Sequence, residues 1–248
     1  MTTIKSAAEI ELMRVAGGIV YEALELARSL VRPGLTSQKL DRAIESFIRS
    51  KGAKPSFKNY QGFPAASCIS INEMVVHGIP SERQLIDGDI VSVDIGAYIG
   101  GYHADAARTF PVGTVKAETL RLVRITEECF FEAIKVARPG NRIGDIGYAV
   151  QSYAEAAGYS VVRELIGHGV GQALHESPDV PNYGRAGHGL RLEAGMTIAI
   201  EPMINMGVRE VRRLSDGWGI VTQDGLPSAH YENTIALTDG EPLILTLQ

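Results

Sequence analysis

Asp94 and Asp105 bracket the segment DIGAYIGGYHAD, whose glycines permit a tight reversal between them. A turn at Ile99-Gly100 sets the two carboxylates opposite each other across a hairpin, whereas a turn at Gly100-Gly101 makes them diagonal neighbours. Like charges facing each other on a sheet repel, and Val93, Ile95, Ala104 and Ala106 around them keep water from screening the pair. A cation between the carboxylates removes the conflict. Two aspartates alone fit a solvated acidic hairpin equally well, so three further segments decide. GHGVGQALH places His168 and His175 among glycines that let backbone approach closely. MTIAIE ends on Glu201, and HYENT sets Glu232 in an apolar, β-branched run where an unpaired carboxylate is costly to bury. Four carboxylates with imidazole make an oxygen-rich donor set for two divalent ions of borderline hardness, Co, Mn, Fe or Zn. Two such ions can share and activate one water.

These residues need a scaffold, and the sequence describes one. Ser6 and Glu9 form a capping-box pattern, after which Ile10, Met13, Val20, Leu24, Ala27 and Val31 keep one helical face apolar until Pro33-Gly34. A second helix is expected from Ser37 to Lys51, with Leu40, Ile44, Phe47 and Ile48 inward and Gly52 as its stop. Arg32-Pro33-Gly34 recurs 106 positions later as Arg138-Pro139-Gly140, and the same offset carries Ala43 onto Ala149, Ser46 onto Ser152 and Gly52 onto Gly158. Strand-like runs follow each helical pair, at 68–72, 90–98, 196–201 and 230–237. No linker divides the copies. The expectation is an α+β architecture in which two pseudo-symmetric αβ halves share a curved, mostly antiparallel sheet with helices outside, residues 1–248 forming a single domain with an internal duplication.

Composition narrows the function classes. The chain has 248 residues, 45% hydrophobic and 21% charged, with a formal net charge of −5, which argues against nucleic acid as the substrate. Two cysteines, Cys68 and Cys129, exclude a disulfide framework and fit a reducing compartment. No apolar run is long enough to span a bilayer, and the N-terminus lacks the pattern of a secretory signal. A cytoplasmic location without membrane contact is expected.

Through SINEMVVHGIP, VSVDIGAYIGGYHAD, GHGVGQALHE, IAIEPM and SAHYENT, nearly the whole chain resembles the bacterial type I methionine aminopeptidases, enzymes of the pita-bread fold. The resemblance implies that Asp94, Asp105, His168, Glu201 and Glu232 hold a dinuclear metal centre, with Asp105 and Glu232 bridging. It implies that His77 and His175 face the substrate as catalytic groups beside Glu201, a proton shuttle. It also implies a methionine pocket walled by Tyr60, Phe63, Cys68 and Trp218, with Phe57 and Leu174 at positions where members vary. Leu174 stands where many relatives have Phe. The implied activity is removal of the initiator methionine from nascent chains and peptides with a small second residue, by a monomer that meets some substrates at the ribosome.

Blander readings stand beside these. Cys68 alone is a core residue, and Trp218 can be plain packing. His103, two positions before Asp105, is a candidate ligand or a neighbour of one; His188 and His230 read as ordinary loop and strand residues. Two rival functions remain at this point. X-Pro aminopeptidases share the fold and ligand set but generally carry an additional N-terminal domain, and pita-bread proteins without catalysis act as binding modules.

Overall fold

The computed structural model describes residues 2–247. Helix α1 spans Ala7–Leu30: Ser6 Oγ accepts the Glu9 N–H, and the Glu9 carboxylate accepts the Ser6 N–H at 2.8 Å, closing the capping box. Removing the Ser6 hydroxyl leaves an orphan N–H, so Ser6→Ala is expected to cost about 1 kcal/mol, read as a lower urea midpoint at unchanged m-value. Helix α2 spans Ser37–Ser50, capped by Thr36 Oγ1 on the Lys39 N–H, one residue shorter than expected. Helices α3 (Ala117–Val136) and α4 (Ile143–Ala156) repeat the arrangement. The sequence offset of 106 carries the end of α1 onto the end of α3 and both ends of α2 onto those of α4.

Each helical pair covers its own strands. Val91, Val93, Ile95 and Ala97 of strand Ile90–Ile99, with Ala104 and Ala106 of strand Tyr102–Pro111, pack against Val20, Leu24, Ile44 and Ile48. Side chains alternate along a strand, so Asp94 and Asp105 project from the opposite face. In the other half, Ile198 and Ile200 pack with α3 and α4 residues Phe130, Ile146 and Val150, which turns Glu201 away from that core by the same alternation. The scaffold therefore aims acidic side chains inward from both halves while its apolar faces bury against helices.

Every strand pairing among the described residues is antiparallel. Where one shared sheet was expected, the strands form four sheets, of four, three, three and five strands. Ala107 and Glu232 exchange backbone hydrogen bonds at 3.3 and 3.0 Å, which joins the hairpin of one half to the final strands of the other. The run at 230–237 is two strands, Ser228–His230 and Asn233–Ala236, with Tyr231 and Glu232 at the break. No described helix is long and apolar enough to cross a membrane.

Candidate metal centre and its cleft

The hairpin settles the first geometric alternative. Gly96 pairs with Asp105, Asp94 with Ala107 and Ile99 with Tyr102, so the turn is Gly100-Gly101 and the aspartates are diagonal neighbours. Both glycines have positive φ, +63° and +92°. A turn at Ile99-Gly100 would force a β-branched residue into that region, so of the two alternatives the second holds.

Five side chains meet beside the hairpin. His168, on strand Gly167–Gly169, points Nε2 at Asp105 Oδ2, 3.6 Å away, and at Glu201 Oε1, 3.7 Å away. Its Nδ1 lies 2.8 Å from Gly169 O. A carbonyl only accepts, so Nδ1 carries the proton and Nε2 presents a lone pair to carboxylates. Lone pair and carboxylates cannot bond one another directly when the acids are ionised. Asp105 Oδ1 accepts the Thr234 hydroxyl at 2.9 Å, which fixes its orientation. Asp94 Oδ1 is buried without any partner. Asp105, His168 and Glu232 form one group able to hold an ion, and Asp94, Glu232 and His230 form another.

The electrostatics agree with that donor set. Burial raises the carboxyl pKa values of Asp94, Glu201 and Glu232 well above the ordinary range, and each is raised further by its acidic neighbours. Burial also lifts Asp105, to about 6. His168 is shifted down, first by burial, and stays neutral as a ligand must be. Four acids that cannot all ionise alone, an orphaned carboxylate oxygen and a lone pair aimed among them fit divalent cations.

The five side chains line a cavity of about 300 Å³. Phe57, Phe63, Cys68 and Leu174 are buried together along its wall, with Tyr60 and Trp218 packed against them. Phe63 meets the Trp218 ring edge-on at 5.1 Å. Asp216 holds the Trp218 turn by accepting the N–H groups of Trp218 and Gly219 at 2.8 and 2.9 Å. Cys68 pairs in register with Asp94, so thiol and carboxylate share a face. Burial pushes that thiol's pKa up, keeping it protonated. His77 and His175 line the same cavity. His77 adopts φ +59°, a strained backbone for a non-glycine residue. His175 Nδ1 is 2.8 Å from the Tyr60 hydroxyl. Burial depresses both imidazoles to about 4.

One candidate histidine falls away and another histidine departs from expectation. His103 is not in the cluster: its Nδ1 bonds Ser56 Oγ at 2.9 Å and its ring packs on Tyr98. His230 is not an ordinary strand residue. Only 2% of its side chain is exposed, and Nε2 lies 3.7 Å from Glu201 Oε2 and 3.9 Å from Glu232 Oε2, with neither ring nitrogen hydrogen-bonded. The signal was its position two residues before Glu232 in HYENT, a spacing that projects both side chains the same way. His188 is exposed, as expected of a loop residue.

Comparisons with known proteins agree with this geometry. Residues 11–239 match the metallopeptidase family M24. The methionine aminopeptidase of Clostridium perfringens is 54% identical over 247 residues, covering all of this chain and 99% of that protein. The crystal structure of methionine aminopeptidase from Rickettsia prowazekii superposes with a TM-score of 0.98 at 42% identity, both chains fully covered. Prolidase from Pyrococcus furiosus superposes with a TM-score of 0.81 at 25% identity, covering 99% of this chain and 65% of that one.

Proposed function

This chain belongs to metallopeptidase family M24, and from that premise we propose that it is a metal-dependent methionine aminopeptidase, hydrolysing the first peptide bond of chains that begin with methionine. The observation that carries the reading is the convergence of Asp94, Asp105, Glu201 and Glu232, buried or nearly so, with His168 in the lining of an aromatic-walled cavity. Asp94, Asp105, His168, Glu201 and Glu232 would hold two divalent ions, of which Co, Mn, Fe and Zn suit the donors. Bound there, the ions supply Lewis acidity and an activated water.

The chain's own groups do the rest. Tyr60, Phe63, Cys68 and Trp218, with Phe57 and Leu174, enclose the methionine side chain and direct its carbonyl toward the acids. His175 donates to the carbonyl oxygen as negative charge develops there. His77, neutral near pH 7, contacts the nitrogen on the leaving side, and Glu201 carries the proton to it. Crowding beside the carboxylates restricts the second residue to small side chains. In this reading residues 1–248 are one catalytic domain built by duplication of an αβ half. The protein works as a cytoplasmic monomer on peptides and nascent chains, some of them at the ribosome.

The test is a substrate panel after reconstitution with each metal in turn. Met-Ala-Ser is expected to be cleaved and Ala-Pro peptides not, which separates this reading from an X-Pro enzyme; a pure binding module would cleave neither. Apolar fit alone discriminates by roughly 1–3 kcal/mol per methylene. An N-terminal norleucine should therefore be cleaved measurably, and Ala or Lys poorly. Since Leu174 offers no ring face, Leu174→Phe should raise the kcat/KM ratio of Met over norleucine or leave it unchanged. Equal kcat/KM for Met, Leu and Ala peptides would remove the methionine pocket from the reading.

A further inference from the structure

Lys5 and Glu176 form a mostly buried ion pair to which the proposed chemistry gives no role. Their side chains are 5% and 15% exposed, with Lys5 Nζ 2.5 Å from Glu176 Oε2. Glu176 directly follows His175 and does not line the cavity. Its two oxygens do different work. Oε1 accepts the Ala173 N–H at 3.1 Å, closing the turn from within, while Oε2 accepts the Lys5 ammonium and, at 2.6 Å, the Thr3 hydroxyl. The Lys5 backbone N–H donates to Gly195 O at 2.8 Å, tying this segment to the body of the fold. Gly171 leaves the room required: a Cβ there would meet Glu176 Oε1 at 2.4 Å and Lys5 Cε at 2.7 Å. A second anchor holds the loop's other flank. Gln172 Nε2 donates to the Tyr102 hydroxyl at 3.3 Å, and that hydroxyl donates to Glu9 in the first turn of α1 at 2.6 Å.

Leu174 and His175 lie between these anchors. Leu174 is 2% exposed against Phe57, Phe63 and Cys68, and His175 reaches Tyr60. We propose that Lys5 and Glu176 are positioning residues, whose ion pair, supported by Thr3, clamps loop 171–176 so that Leu174 and His175 meet the substrate in one geometry. The inference rests on the reading of His175 as a substrate-facing donor. Exposed ion pairs contribute little, but a mostly buried one leaves an uncompensated charge when a partner is removed. Burial raises the Glu176 carboxyl, and the hydrogen bonds from Lys5, Thr3 and Ala173 outweigh it, leaving its pKa below the ordinary value. The loop thus closes around a carboxylate that is ionised and held from the chain's opening segment. A displacement of about 1 Å in such a loop can cost on the order of 10²-fold in rate.

The experiment uses the full-length, metal-reconstituted protein. Lys5→Met keeps the aliphatic stem and removes the charge. At a temperature where it is fully folded, it is expected to lower kcat on Met-Ala-Ser by roughly 10–100-fold, with bound metal unchanged. His175→Ala should then cost far less in the Lys5→Met background than in the wild type, because a displaced His175 has little left to lose. Thr3→Val, at an exposed position, should lower kcat by a few-fold with the same non-additivity, and it carries the test if Lys5→Met does not fold. Wild-type kcat in the folded variant, or losses that simply multiply, would overturn the clamp. Should the wild type itself not cleave Met-Ala-Ser, the functional reading fails, and amide hydrogen exchange judges the clamp alone. Faster exchange confined to 171–176 in Lys5→Met or Thr3→Val supports it, and unchanged exchange overturns it.

Discussion

Asp105→Asn is expected to abolish turnover while the protein stays folded, because the substitution keeps the shape of the side chain and removes one of the charges proposed to hold the ions. Asn can still accept the Thr234 hydroxyl that fixes the native Asp105 at 2.9 Å, so its placement survives. Metal analysis should find fewer than two ions bound, and added Co or Mn should not restore activity; the wild type stripped by chelator should lose activity and recover with either metal. Full activity in rigorously metal-free protein would sink the whole proposal. The same substitution has an opposite effect on the stripped protein's stability. Burial raises Asp105 from its ordinary 3.8 to about 6 when no cation is present, so the folded state holds that proton more tightly than the unfolded chain. Its contribution is complete below about 3.8 and is lost as pH rises through about 6. Metal-free Asp105→Asn lacks this loss. Its Tm should therefore exceed that of the metal-free wild type above pH 6 and approach it near pH 4. A Tm difference that does not change with pH would show that Asp105 is not strained in the empty cluster.

Much of this site was legible because its signals are local in sequence. The offset of 106 anticipated that α3 and α4 would repeat α1 and α2, since helix stops at Pro-Gly and Gly are fixed by backbone chemistry within a few residues. Val93, Ile95, Ala104 and Ala106 marked both strands as buried, but they face the helices, so they are not what shields the aspartates. What required the structure is long-range. The choice between two hairpin turns depended on which residues tolerate positive φ, and the register then followed. His230 escaped because its spacing to Glu232 also describes an imidazole packed in the core, and only the fold brings its Nε2 to 3.7 Å from Glu201 and 3.9 Å from Glu232. The Lys5–Glu176 contact spans 171 positions and has no periodic signature at all.

His175→Ala is expected to lower kcat by about 10²–10³-fold, the usual cost of one donor aimed at a developing oxyanion, while bound metal stays near the wild-type level. The geometry specifies which nitrogen acts. Burial, reinforced by His168, holds the imidazole near 4, so the ring is neutral at pH 7 and carries a single proton. Nδ1 sits 2.8 Å from the Tyr60 hydroxyl. If Nδ1 accepts from that hydroxyl, the proton is on Nε2 and is free to meet the substrate carbonyl; if Nδ1 donates, Nε2 offers only a lone pair, which repels the oxygen. Catalysis by His175 therefore needs Tyr60 as donor, and Tyr60→Phe should lose part of the same effect. Removing one neutral hydrogen bond of about 1 kcal/mol corresponds to a several-fold loss in kcat, well short of deleting the imidazole. Tyr60 also walls the pocket, but Phe keeps the ring, so KM for Met peptides should change less than kcat. In the double variant the Tyr60→Phe loss should vanish, because the hydroxyl then has no imidazole to orient. Loss of metal from His175→Ala would instead make His175 a ligand and end its role as a donor to the substrate. A Tyr60→Phe loss that persists undiminished without His175 would place the hydroxyl on the substrate itself.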